Sequence, residues 1–343
     1  MLFYPQIAVY LSQQLPKMNF NSLTECLDFF KDEETCIAYL EAQRWHGTPA
    51  CPFCGVINPY RTNRGFKCRE KLCGKKFTVK VGTIYENSKI SLCNWFAIGY
   101  LVLSSKKGVS SLQIHRQLGI TQKSAWFALH RVREMLKEKA PQVLRGTTQI
   151  DETYVGGKIG NKHKSKIAKI QKEHGGKSIG GRSDIKTPVF GIVETGGKVI
   201  VKVTDWVSKK TAADLINKHV EHGSTMVTDG YAMYAYLGKD DKFKHVMVDH
   251  SKGQYVNGGF HTNGIENFWS LLKRGIIGIF HQVSPQHLQR YCDEFAARYN
   301  TRKIKDNERF EYYIQRSEGR LTYNRLIGKD NAPDVSFPQM MVD

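Results

Sequence analysis

Apolar positions recur at helical spacing over residues 21–44, where Leu23, Cys26, Leu27 and Phe30 are followed by Cys36, Tyr39 and Leu40. That period predicts helix. Residues 45–85 break it, alternating short β-prone pieces with Gly and Cys knuckles. Helical spacing returns over 91–140. Ser91–Ser104 sets Leu92, Trp95, Phe96, Gly99 and Leu103 on one side, then come Ser110–Leu118, a turn at Gly119, and a longer helix from Thr121 to about Lys139. Pro141 and Gly146 mark a boundary.

From Thr147 the pattern becomes that of a mixed α/β domain. TTQIDETYV reads as a strand. VFGIVE (189–194) and KVIVKVT (198–204) read as a hairpin around a Thr-Gly-Gly turn. Ser208–His222 is a predicted helix with Ser208 as N-cap. TMVTDG (225–230) and HVMVDH (245–250) are further strands, and Gly264–Gly275 and Pro285–Asn300 further helices. Residues 158–187 are rich in Gly, Lys and Ser without apolar periodicity, and read as a mobile basic loop. The implied layout is an N-terminal helical segment (1–44), a ribbon (45–86), a helical region (87–142), an α/β domain (147–302) and a C-terminal tail (303–343).

Composition adds a partner. Among 343 residues, 51 Lys and Arg face 32 Asp and Glu, a formal net charge of +19. A field of that sign attracts polyanions, and DNA gains from counterion release when phosphates are neutralised. No apolar run is long enough to cross a membrane, and the first residues lack the basic start of a secretory signal. The reading is therefore a chain without a membrane partner, in a reducing cytoplasmic compartment.

Four of the eight cysteines cluster: Cys51 and Cys54 in one knuckle, Cys68 and Cys73 in a second. Two facing knuckles supply four thiolates, the set a structural Zn²⁺ prefers. Four thiolates close the coordination sphere, and a segment this small depends on the ion to fold. In GVSSLQIHRQLGITQKSAWFALHRVREML, two helices around Gly119 have the cadence of a helix-turn-helix, although an ordinary three-helix bundle would read similarly. With Ala125, Trp126, Leu129, Val132 and Leu136 as the buried stripe, Gln122, Lys123, His130, Arg131 and Arg133 are left for solvent or DNA.

Three acidic residues sit where phosphoryl-transfer chemistry could use them. Asp151 is in a strand, Asp229 ends another, and Glu266 lies near the start of a helix. Two-metal catalysis needs hard oxygen ligands converging from different elements. Each has a plainer role as well. Glu152 could replace Asp151, Asp229 could shape a turn before Gly230, and Glu266 could close a capping box on Asn263. Lys273 lies two turns beyond Glu266 on nearly the same face, with Arg274 beside it as a phosphate contact.

These residues lie in blocks that resemble the transposases of insertion-sequence family 1595. The blocks are RWHGTPACPFCG, GTIYENSKISLCNWF, KGVSSLQIHRQLGITQKSAW, QIDETYVGGK, KTPVFGIVE, VTDGYAMY, HTNGIENFWSLLKRGIIGIFH and LQRYCDEFAARYN. They run in order from about Leu23 to Arg302, with Tyr85 standing where the family pattern has Phe. The resemblance implies an RNase H-like DDE domain after a zinc ribbon and helix-turn-helix. It implies that Asp151, rather than Glu152, joins Asp229 and Glu266 in binding two Mg²⁺ or Mn²⁺ ions, with Lys273 in the same motif. It implies cleavage at the element's terminal inverted repeats and strand transfer into target DNA, by a dimer or higher oligomer associated with the nucleoid. An RNase H-like nuclease without strand transfer and a DNA-binding regulator with a dead core are the competing readings. The first seventeen residues match no part of the family pattern, so Met18 is an alternative start to Met1.

Overall fold

The computed structural model describes residues 20–157, 163–173, 186–239 and 241–330. Met18 and most of the 158–187 segment lie outside them. The chain divides into two compact units, one taking residues up to Leu136 together with those from Lys303 onward, the other spanning Lys137–Arg302.

In the first unit, α1 (Leu23–Phe29) and α2 (Glu33–Trp45) are separate helices because each has its own N-cap, Ser22 and Asp32, accepting from the amides of Glu25 and Thr35. The ribbon follows as β1 (Tyr60–Thr62), β2 (Gly65–Lys67) and β3 (Lys76–Phe77), antiparallel in that order. It rests on α2 through Trp45, whose ring meets Phe66 at 5.1 Å and Phe77 at 6.3 Å. Helices α3 (Leu92–Ser104), α4 (Ser111–Leu118) and α5 (Gln122–Leu136) follow, with Gly119 left-handed at φ 67° between the last two.

The reading of 303–343 as a tail is corrected for its described part. The second unit, which intervenes in the sequence, carries four helices: α6 (Lys164–Glu173), α7 (Lys209–His219), α8 (Asn263–Gly275) and α9 (Pro285–Asn300). Beyond them α10 (Asp306–Ile314) and α11 (Tyr323–Leu326) return to the first unit. Phe310 of α10 is fully buried against Phe20, Phe30 and Phe96, at 5.7, 5.8 and 5.9 Å between ring centroids. The described part of this segment thus belongs to the N-terminal core.

This return also corrects two proposed DNA contacts. Arg131 and Arg133 are buried, at 5% and 2% exposure. Arg131 donates Nε–H to the Leu321 carbonyl at 3.1 Å and lies 4.7 Å over the Phe127 ring, and burial pulls its pKa down to about 10. Gln122 and Lys123 remain exposed at the start of α5.

In the second unit the sheet order is β6 (Val199–Val203), β5 (Thr187–Glu194), β4 (Thr147–Val155), β7 (Thr225–Asp229), β8 (Lys244–Val248). The first three strands form an antiparallel meander, and β7 and β8 run parallel to β4. Alternation along β5 explains the two layers. Val189 and Val193 pack under Ile265, Phe268 and Trp269 of α8 and Phe295 of α9. Phe190 and Ile192 pack with Ile150 and Met226 under Ala212 and Ile216 of α7. The β6 edge is sealed by α9: Gln289 and Asn300 each pair with its backbone, accepting from the Val203 and Val199 amides at 2.7 Å. The expected basic loop is not wholly irregular, because its described middle is α6. Among the described residues, no helix is long and apolar enough to cross a membrane.

Candidate active site and thiol cluster

The four ribbon cysteines come together as expected. Their ligand atoms all lie within 4.8 Å of one another. Cys51 and Cys73 sulfurs are 3.8 Å apart, those of Cys54 and Cys68 3.4 Å. A tetrahedron with Zn–S bonds of about 2.3 Å has S···S edges of about 3.8 Å, so the thiols fit that ion. The backbone sets this geometry. Gly55 N–H donates to the Cys51 carbonyl at 2.8 Å with Gly55 at φ 78°, a turn an L side chain would strain. In the second knuckle, Gly74 N–H donates to the Glu70 carbonyl at 2.8 Å with φ 52°.

The carboxylates are brought together by the sheet. Parallel pairing of β4 with β7 matches Thr147 to Thr225 and Gln149 to Val227, a constant offset of 78 residues. Asp151 and Asp229 keep that offset, one step beyond the last pair on the same face. They lie just beyond the last paired residues, near enough that the Asp229 charge raises the Asp151 pKa. Asp229 ends β7 and accepts from the Tyr231 amide at 3.1 Å, which turns the chain away after it.

Helix α8 supplies the third carboxylate, and two glycines let it lie close. Gln149 of β4 accepts from the Ile265 amide at 3.0 Å, and a Cβ on Gly264 would fall 2.7 Å from the Gln149 amide oxygen. One turn on, the Trp269 ring covers Gly191, where a Cβ would meet it at 2.7 Å. Gly191 is the register partner of Asp151, and the indole N–H donates to Asp151 Oδ2 at 2.9 Å. Glu266, between these two anchors, is exposed. It accepts from the Thr262 hydroxyl at 2.6 Å, with His250 Nε2 at 3.9 Å. The capping-box reading of Glu266 is therefore corrected: Thr262, not Asn263, is the N-cap, and its side chain makes no capping bond.

Charge accumulates here. Asp151 is pushed up to about 7, first by burial and then by the fields of Glu152 and Asp229. Glu152 is raised as well, chiefly by burial, against the Tyr234 hydroxyl that donates to it at 2.7 Å. Its bond to Tyr234 places Glu152 on the α7 face, opposite Asp151. Among the described residues only the thiols form a group of three or more His, Cys, Asp or Glu within 4.8 Å, so the carboxylates are neighbours that stay apart. Hard oxygen donors with uncompensated negative charge fit a divalent cation such as Mg²⁺. Lys273 is exposed two turns along α8, and Arg274 is exposed with its guanidinium bonded to the Ser270 hydroxyl at 3.0 Å.

The sequence had shown Trp269 only as part of a buried stripe, and Gln149, Gly191, Thr262 and His250 not at all. One signal was available. Gly191 interrupts a run of apolar strand residues, and a strand glycine often marks a close approach.

Two stretches of the chain match families of known proteins. Residues 31–76 match the family model of a transposase zinc-ribbon domain, and residues 143–300 that of an ISXO2-like transposase domain. The chain is 27% identical over 278 residues to an uncharacterised protein in transposable element ISH50 of Halobacterium salinarum, covering 78% of this chain and 91% of the relative. Through its thiol ribbon and its carboxylate-bearing α/β domain, the chain belongs to the transposases of insertion-sequence family 1595.

Proposed function

We propose that this transposase cuts DNA at the ends of its insertion sequence and joins the freed 3′ ends to target DNA, with Asp151, Asp229 and Glu266 as the metal-holding carboxylates. The observation that carries the reading is the shared offset of β4 and β7, which sets Asp151 beside Asp229 under a helix bearing Glu266. The strand order, an antiparallel meander with two parallel strands added to its first strand, supports an RNase H-like domain. Bound divalent ions would supply Lewis-acid stabilisation of the attacking and leaving oxygens. The chain's own part is to hold those ions at three carboxylates and to offer Lys273 to a phosphate.

The bond balance is simple. Water attacks the phosphodiester at the element end, giving a 3′-OH and a 5′-phosphate. That 3′-OH then attacks a target phosphodiester, one P–O bond forming as another breaks. No covalent protein–DNA bond is needed. Zn²⁺ held by Cys51, Cys54, Cys68 and Cys73 keeps the ribbon folded. Exposed Gln122 and Lys123 support end recognition by α4 and α5 as a helix-turn-helix, with Arg274 as a phosphate contact near the carboxylates. Assembly on DNA as a dimer or higher oligomer, next to the nucleoid, belongs to the same reading. The test is a labelled element end and a supercoiled target incubated with purified protein in Mg²⁺. Nicked ends and joined products support the reading. Nicking without joining leaves a nuclease, and binding without nicking leaves a regulator.

A further inference from the structure

Two residues beside the carboxylates do something other than pack or cap. Thr262 occupies the N-cap of α8, but its hydroxyl makes no bond to a helix amide and donates instead to Glu266 Oε1 at 2.6 Å. A hydroxyl has one proton to give. With that proton on Glu266, the 3.3 Å contact between Thr262 Oγ1 and His250 Nε2 is made by the imidazole N–H donating. Thr262 is 3% exposed, so the donor is held within the fold while the Glu266 carboxylate it holds faces solvent.

Trp269 lies seven residues on, two turns along the same helix. Its ring is 4% exposed and fills the space that Gly191 leaves open, and its one N–H goes to Asp151 Oδ2 at 2.9 Å. Gly191 is the residue paired with Asp151 across the sheet, so ring, glycine and carboxylate are locked in register. A hydrogen bond to one oxygen favours one orientation of the carboxylate about its last torsion before any ligand arrives. Partners of this kind orient metal ligands, and losing one typically costs about 10- to 100-fold in metal affinity.

We propose that Thr262 and Trp269 are positioning residues that fix the carboxylates of Glu266 and Asp151 for a divalent cation, with His250 completing the Thr262 side. The inference deepens the metal-dependent reading of this site and rests on it. A purely structural role predicts something different. The Thr262 hydroxyl makes no capping bond, so an isosteric Val leaves the helix intact and removes only the hydroxyl's contacts with Glu266 and His250.

The experiment uses the full chain and its Thr262→Val, Thr262→Ser and Trp269→Phe variants. Mn²⁺ affinity is read by electron paramagnetic resonance, and melting is followed without divalent ions. Thr262→Val is expected to weaken Mn²⁺ binding by about tenfold without changing the melting temperature, and Thr262→Ser to restore it. In wild-type protein carrying ¹⁵N-labelled tryptophan, the indole signal lost in Trp269→Phe is expected to shift as Mg²⁺ is added. Wild-type Mn²⁺ affinity in Thr262→Val, or an indole signal unmoved at saturating Mg²⁺, overturns the positioning role while leaving the metal reading in place. A wild-type chain that binds no Mn²⁺ overturns both. The indole measurement needs no Thr262 variant, so it decides the Trp269 role even if Thr262→Val fails to fold, in which case Thr262→Ala takes its place for the Mn²⁺ measurement.

Discussion

The thiol cluster and the carboxylate site solve opposite problems. The four thiols come from one short segment, and backbone turns alone gather their sulfurs within 4.8 Å. The carboxylates come from Asp151, Asp229 and Glu266, on three elements far apart in sequence, and they repel one another. Thiols can be neutral until an ion displaces their protons, so a ribbon can bring them together at little electrostatic cost. The carboxylates cannot shed their charge that way once the pH passes the Asp151 value of about 7, and the fold must hold them near one another against it. It does so with a strand register, two glycines and hydrogen bonds from Trp269 and Thr262. A site of the first kind suits an ion that holds structure, and one of the second kind suits ions that take part in chemistry.

The strongest way to break this contrast is to remove one charge from the assembled site. Asp229→Asn is expected to lower end cleavage and joining on the order of 10³-fold, the scale of losing a group that stabilises transition-state charge. The fold should persist, because Asp229 ends its strand and only turns the chain. Gel assays of nicked and joined DNA in Mg²⁺ and Mn²⁺, beside a melting curve, measure both. Unchanged cleavage would remove Asp229 from the site.

At the thiol cluster the opposite pattern is expected. Cys54→Ser should lose the ion and the order of residues 45–86, while the unit from Lys137 to Arg302 melts as before. Zinc content and proteolysis of the ribbon report the first effect, and calorimetry the second. A variant with full zinc and an intact ribbon would show that three thiols suffice.

Gly191→Ala probes the seat of Trp269. A Cβ would stand 2.7 Å from the ring, so the indole must move from Asp151 or the helix must lift. The expected cost is about 1–3 kcal/mol of stability, from overpacking. Cleavage should fall further than Gly191→Ala's stability loss explains, which a melting curve and a cleavage assay on the same preparation will show.

Legibility followed the same divide. The cysteine knuckles could be read directly, because ligand spacing in a local motif carries its own geometry. Strand β4 was read to its residue, and β5 to β8 within two residues, from short β-prone apolar runs bounded by turn residues. What spacing could not give was contact between distant elements. Arg131 and Arg133 looked solvent-facing because α5 was judged by its own stripe, without knowing that residues around Leu321 and Phe310 return to cover that unit. Trp269 looked like core, and its ring is core. Only the pairing of Asp151 with Gly191 turns its N–H into part of the site.

The gentlest test is thermodynamic, and it needs no DNA. Asp151 is pushed up to about 7 in the folded chain, while an unfolded Asp loses its proton near its ordinary value of about 3.9. Between those values the folded state binds more protons than the unfolded one, so stability without divalent ions falls as pH rises. Below about pH 4 both states hold the proton and the term vanishes. Above about pH 7 both have lost it, and the cost of a buried, repelled charge is at its full value. Asp151→Asn cannot ionise and escapes the cost. It should therefore melt higher than wild type at pH 8 by the equivalent of about 1–3 kcal/mol, with the gain shrinking to nothing near pH 4. Mg²⁺ should close the same gap from the other side, by stabilising wild type more than the variant. Melting curves at pH 4, 6 and 8, with and without Mg²⁺, separate these terms. A wild type that outlasts Asp151→Asn at pH 8 without Mg²⁺ would mean that the Trp269 bond outweighs the repulsion, and that the carboxylate site is as settled before its ion as the thiol knuckles are.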